Sequence, residues 1–110
     1  MKRRRIYISG PMTGLSREGY MRAFAERERQ CRLVYQDADV VNPTRLAPCR
    51  WPWLYRLLGY RLTLAYDLWH LRRCTHIFMM VGAEYSKGAR LERMKARQWG
   101  ISIHDYKHPI

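Results

Sequence analysis

Four short runs rich in β-branched and aromatic residues, RIYISG (5–10), DVVNP (39–43), THIFMMVG (75–82) and ISIHDY (101–106), alternate with segments long enough to be helices. Parallel strands cannot be joined by tight hairpins and need long crossovers, so this alternation predicts right-handed βαβ units and a parallel sheet covered on both faces. The expected fold is α/β, a flavodoxin-like or Rossmann-like three-layer sandwich with a four- to five-stranded, mostly parallel sheet. A chain of 110 residues makes one domain, residues 1–110, with room for one core.

The predicted helices run over 18–35, where Tyr20, Phe24, Cys31 and Val34 recur at helical spacing, from about Leu54 to Arg73, and over 86–100. TRLAPCRWPW (44–53) reads as a proline-interrupted loop carrying two tryptophans. Its continuation, CRWPWLYR, interleaves arginine with aromatics. That composition suits base stacking, a lid over a pocket or a dimer contact; the plainer expectation is that Trp51 and Trp53 anchor a long loop. Met79 and Met80 are expected in the core, and the basic run from Lys2 to Arg5 in solvent.

Ligands of open parallel sheets gather outside the carboxyl ends of the strands. Here those ends are SGPMTG, NP and VGAEYSKG, which places Ser9, Gly10, Pro11, Met12, Asn42, Pro43, Ser86, Gly88 and Ala89 around one crevice as candidate substrate-binding residues. Ser86 is a natural helix N-cap. Gly88 and Ala89 leave the first free amides open to close approach by an anion.

The helix SKGARLERMKARQWG (86–100) carries one acid among many cations. At about 100° per residue, Glu92 falls in the middle of the face made by Gly88, Ala89, Ala96 and Trp99, while Arg90, Arg93 and Arg97 point away. An acid there is either an ion-pair partner, of Lys95 or an arginine, or a working group. With a phosphate at the helix start, the adjoining sugar would lie near Glu92, an arrangement suited to a glycosyl-bond reaction through an oxocarbenium-like centre. Asp67 sits at the edge of the stripe Tyr60, Leu64, Leu68 and Leu71. It could bond to backbone amides or to an arginine of its own helix. Tyr7 alternates with Ile6 and Ile8 on the first strand and reads by itself as core.

Charge bounds the partners. Lys+Arg number 21 against 9 Asp+Glu, a net charge of +12, which favours nucleotides, nucleic acid or an acidic protein. Its 47% hydrophobic and 13% aromatic content excludes a disordered tail. Cys31, Cys49 and Cys74 are odd in number and widely spaced, which argues against a disulfide framework and for a reducing, cytoplasmic setting. No apolar stretch of signal-peptide length follows the basic start, and IFMMVGA is too short to span a bilayer, so no membrane association is expected. His70, Cys74 and His76 do not make a metal site: zinc needs three or four ligands, and Arg72 and Arg73 would oppose a cation. No metal and no cofactor are expected.

IYISGPMTG, NP, DLWHLRRCTHIFMMVG and SKGARLE, in this order, resemble the nucleoside 2-deoxyribosyltransferase-like superfamily, and are most similar to its short phage and bacterial members of uncharacterised function. The resemblance covers Arg5 to Ile103, with the tryptophan segment matched least. It implies a flavodoxin-like sheet, cleavage or transfer at an N-glycosidic bond, and a homodimer or higher homo-oligomer in which a neighbouring subunit helps close each pocket. By position, Glu92 matches the catalytic glutamate that attacks C1′. Asp67 matches the aspartate that assists the base or the nucleophile, and Tyr7 and Gly10 match first-strand residues of the sugar site. Ser86 stands where monophosphate hydrolases of the superfamily have a serine that helps hold phosphate and base-transferring members have an acid. Thr75 departs from the acid that relatives often have there. The expected activity is therefore hydrolysis of a (deoxy)nucleoside 5′-monophosphate. Alternatives are a catalytically silent nucleotide binder and a basic adaptor for nucleic acid or protein.

Overall fold

The computed structural model describes residues 3–12 and 14–110. Lys2 of the basic start and Thr13 of the first loop fall outside them. Four strands, β1 (Arg5–Ser9), β2 (Asp39–Val41), β3 (His76–Met79) and β4 (Ser102–Asp105), form one all-parallel sheet in the order β2-β1-β3-β4. The register pairs Tyr7 with Val41 on one side and with Ile77 on the other, and Ile77 in turn with Ile103. The order reverses direction between β1 and β3, where doubly wound sheets open a crevice.

Side chains alternate across a pleated strand, and here the alternation sorts the core into two layers. On one face Ile8 and Val40 meet Phe24 and Cys31 of the long helix α1 (Arg17–Val34). Ile6 and Phe78 pack with Ala38 and Tyr35 just past it, and Arg27 of α1 lies over the Phe78 ring. Tyr7, Ile77 and Met79 face the opposite layer, α3 (Pro52–Arg72) and α4 (Lys87–Gln98), meeting Leu71, Ala89 and Ala96. Helix, sheet and helix make the three layers of the expected sandwich.

Several boundaries differ from the sequence reading. β2 stops at Val41 because Asn42 caps a 3-10 turn, its side chain accepting from the Thr44 amide. β3 ends at Met79, and the chain turns through Gly82 at φ 89°. Met79 is buried; Met80 lies just past the strand and packs against the layer of Ile8 and Phe24. The segment expected to be a loop is helical: α2 spans Ala47–Arg50 and α3 begins at Pro52. Pro48 and Pro52 sit in the first turns of these helices, where a missing N–H costs nothing. Its tryptophans do not anchor a loop, because Trp51 and Trp53 are 45% and 64% exposed. α3 is broken at Gly59, whose φ 80° and ψ 175° are non-helical. At the amino end, Arg3 and Arg4 pair with Asp39 and Asp37. Among the described residues, no helix is long and apolar enough to cross a membrane.

Candidate active site

The site is built where β1 and β3 part. Tyr7 and Ser9 are two residues apart on β1 and so point to the same face, beneath α4. Both donate hydrogen bonds to Glu92: the Tyr7 hydroxyl to Oε2, and the Ser9 hydroxyl to Oε1 at 2.7 Å. All three side chains are buried. Among the described residues no cation pairs with Glu92, so the ion-pair reading of this acid is replaced by a carboxylate held by two hydroxyls.

Above Glu92 opens a cavity of about 330 Å³, within the range of small-molecule pockets. Gly10, Met12, Pro43, Asp67, Ser86, Gly88, Ala89 and Glu92 line it, joining residues from the carboxyl end of β1, the turn after β2, α3 and α4. Tyr7 and Ser9 lie below it as supports. Pro11 and Asn42 do not line it. The Pro11 ring lies near the turn at Gly82, where a β-carbon would meet its Cγ at 3.4 Å. Asn42 is buried and faces the layer of α1, where its amide donates to Glu28 at 3.1 Å.

Ser86 caps α4, its hydroxyl accepting from the Ala89 amide at 3.3 Å. At Gly88 a β-carbon would lie 3.4 Å from the Tyr60 hydroxyl, at contact distance, so Tyr60 overhangs the helix start. Unbonded amides and the positive end of the helix dipole thus face the cavity.

Asp67 sits at the centre of a buried face, not at the edge of an apolar stripe. The residues α3 turns inward are Thr63, Asp67 and Leu71, four apart. Asp67 bonds neither backbone amides nor an arginine through Oδ1. That atom and the Thr63 hydroxyl are buried and have no hydrogen-bond partner among the described residues. Both residues line the cavity, and buried polar groups left unpaired are rare enough to ask for a partner.

The electrostatics follow from burial. Burial first, and then the negative charge of Glu92, push the Asp67 carboxyl up to about 8. Burial raises Glu92 to about 7, while the bonds from Tyr7 and Ser9 pull it back. Burial and the adjacent Glu92 charge raise the Tyr7 hydroxyl well above its ordinary value, so it stays a donor. Among the described residues neither carboxyl has a compensating cation, and Glu92, whose charged form accepts from the Tyr7 and Ser9 hydroxyls, ionises first.

The sequence reading missed the other wall. Arg17, Tyr20 and Phe24 from α1, Cys49 from α2, and Tyr55, Arg56, Tyr60 and Leu64 from α3 also line the cavity. Arg17 is fixed there by donating to the carbonyls of Cys49 and Arg50 at 2.8 and 2.9 Å. A buried brace was missed as well. Glu28 takes Asn42 on one side and pairs with Arg32 and Arg45 at 2.8 and 3.0 Å, tying α1 to the turn that presents Pro43. Burial would raise Glu28, but the bonds from Arg32 and Asn42 outweigh it and hold the carboxyl below its ordinary value. No motif marks these residues; only the helical face of Glu28, in register with Phe24 and Cys31, was available to find it.

His70, Cys74 and His76 do not converge. The Cys74 thiol donates to the His70 carbonyl at 3.4 Å, and the His76 ring meets Thr75. Among the described residues no three His, Cys, Asp or Glu side chains are placed to hold a metal. All three cysteines are free and buried.

The profile of one protein family, a domain of unknown function (DUF4406), matches residues 4–105. The chain belongs to the DUF4406 family. The match spans β1 to β4 and so takes in every residue of the cavity of this DUF4406 domain. No curated protein matches the chain.

Proposed function

We propose that the protein cleaves the N-glycosidic bond of a nucleoside 5′-monophosphate, with Glu92 as nucleophile, Asp67 as general acid and water as acceptor. The observation that carries this reading is the pair of buried carboxyls in one cavity. One is held and partly stabilised by two hydroxyls; the other has an unpartnered oxygen and keeps its proton to a higher pH. Two acids with divergent environments are what a nucleophile and a proton donor require. The resemblance to the nucleoside 2-deoxyribosyltransferase-like superfamily supports the same roles.

In this scheme a Glu92 oxygen attacks C1′ while Tyr7 and Ser9 keep the carboxylate aimed. The bond from C1′ to the base nitrogen breaks, its electron pair stays with the base, and the Asp67 proton neutralises that nitrogen. Water then attacks C1′ of the glycosyl ester, gives its proton to the Asp67 carboxylate, and frees Glu92. The Ser86 hydroxyl, the Gly88 amide, and the guanidinium groups of Arg17 and Arg56 would hold the phosphate. Tyr20, Phe24, Tyr55 and Tyr60 supply aromatic surface for a base. The reading includes a homo-oligomer, supported by exposed apolar side chains on α3, among them Leu57 at 74% and Leu62 at 57%.

The test is incubation of the purified protein with ribo- and deoxyribonucleoside 5′-monophosphates, scoring free base by chromatography beside Glu92→Gln. Base released by the wild type and not by the variant is expected. No release from any nucleotide, with melting-temperature shifts from some, would leave a silent binder in place of the enzyme.

A further inference from the structure

A second concavity lies on the other side of α4. It encloses about 460 Å³ and is bordered by Arg90, Arg93 and Arg97 of that helix and by His104, Asp105 and His108 at the end of the chain. Among the described residues none lines both this groove and the cavity of Glu92. We propose that the groove binds a single strand of nucleic acid through consecutive phosphates.

Three observations carry the assignment. First, the arginines sit at spacings of three and four on one helix face and are all exposed. Among the described residues, none of the three takes part in an ion pair. From Arg90 to Arg97 their row spans seven residue steps, about 10 Å at the helical rise, which is longer than one phosphate group can bridge and suited to successive phosphodiesters. Second, the acids nearby are few and one is already engaged. Asp105 accepts from the amides of Lys107 and His108 and from the His108 ring, which leaves Glu84 on the rim as the acid without a partner among the described residues. His104 keeps a buried Nε2 with no hydrogen-bond partner among the described residues. Third, two exposed tyrosines adjoin lining residues in the sequence. Tyr85, next to Glu84, is 86% exposed, and Tyr106, next to Asp105, is 58% exposed. A cationic groove with exposed aromatic side chains next to its lining residues is the combination that single strands use, phosphates on the cations and bases on the rings. A net charge of +12 supplies the long-range attraction.

The test is fluorescence anisotropy of a labelled oligodeoxythymidylate against the full chain over a range of salt. The proposal expects saturable binding whose log–log salt slope falls by about 2 when Arg90, Arg93 and Arg97 are replaced by serine, since each phosphate neutralised on a single strand contributes about 0.7. Affinity should fall at least tenfold, whereas the same loss of charge at exposed Arg22, Arg29 and Arg61 should cost far less. Tyr85→Ala with Tyr106→Ala should weaken binding and leave the slope unchanged. The single change Arg93→Ser, with a slope reduced by about 0.7, gives the same reading should the triple variant unfold. Absence of saturable binding, an equal loss in the control set, or arginine-dependent capture of phosphatidylserine vesicles without the oligonucleotide would overturn it.

Discussion

Replacing Asp67 by asparagine should stabilise the protein, and by an amount that depends on pH. The wild-type carboxyl is 9% exposed, lacks a partner for Oδ1 and is pushed from 3.8 up to about 8. A carboxyl raised on folding contributes most below its unfolded value, and that contribution is lost as pH climbs through the folded value. At pH 4 aspartic acid and asparagine are nearly equivalent in size and charge, so the two proteins should unfold alike. Between pH 4 and 7 the unfolded aspartate ionises while the folded one resists. At about 1.4 kcal/mol per pH unit, this costs the wild type about 4 kcal/mol by pH 7. Asparagine has no such cost. Urea unfolding at pH 4 and at pH 7.5 reads the difference directly, with unchanged m-values showing that only stability moved. Because the Glu92 charge is the second cause of the shift, the gain from Asp67→Asn should shrink in a Glu92→Gln background. An Asp67→Asn protein that is no more stable at pH 7.5, or that differs by the same amount at both pH values, would refute the reasoning.

Two other consequences follow from the same geometry. The Tyr7 hydroxyl lowers the Glu92 pKa, so Tyr7→Phe should move the acid limb of the pH–rate profile upward from about 7; it should also cost about 1–3 kcal/mol of stability by leaving a buried acceptor short of a donor. Gly59→Ala should destabilise by about 1–3 kcal/mol in a chemical melt through backbone strain alone, because φ 80° and ψ 175° belong to glycine and a β-carbon would meet nothing within 4 Å.

The parts of the fold legible in the sequence are those whose periodicity agrees with their burial. β1 alternates Tyr7 and Ser9 against Ile6 and Ile8, and the structure sends the two sets to opposite faces. On α4 the small residues define the inward face so strictly that Glu92 could be placed beside Ala89 and Ala96 before any coordinates, and all three are buried. α3 misled for the opposite reason. It is apolar on nearly every side, and the break at Gly59 removes a continuous register, so the inward face turned out to be Thr63, Asp67 and Leu71 while Tyr60, Leu62 and Trp69 stay exposed. In the sequence Pro48 and Pro52 read as loop formers, but in the structure they open helices. The far wall of the cavity, Arg17 and Tyr20 of α1 against Tyr55 and Arg56 of α3, had no local pattern. It exists only because the fold brings residues of α1 and α3, far apart in the sequence, to one cavity.

The most direct measurement is the intact mass of the protein, quenched while turning over a nucleoside 5′-monophosphate that releases its base. A transient gain equal to one sugar phosphate less one water is expected, mapped to Glu92 and absent from Glu92→Gln. Base release with no adduct on Glu92, or an adduct on another residue, would contradict it.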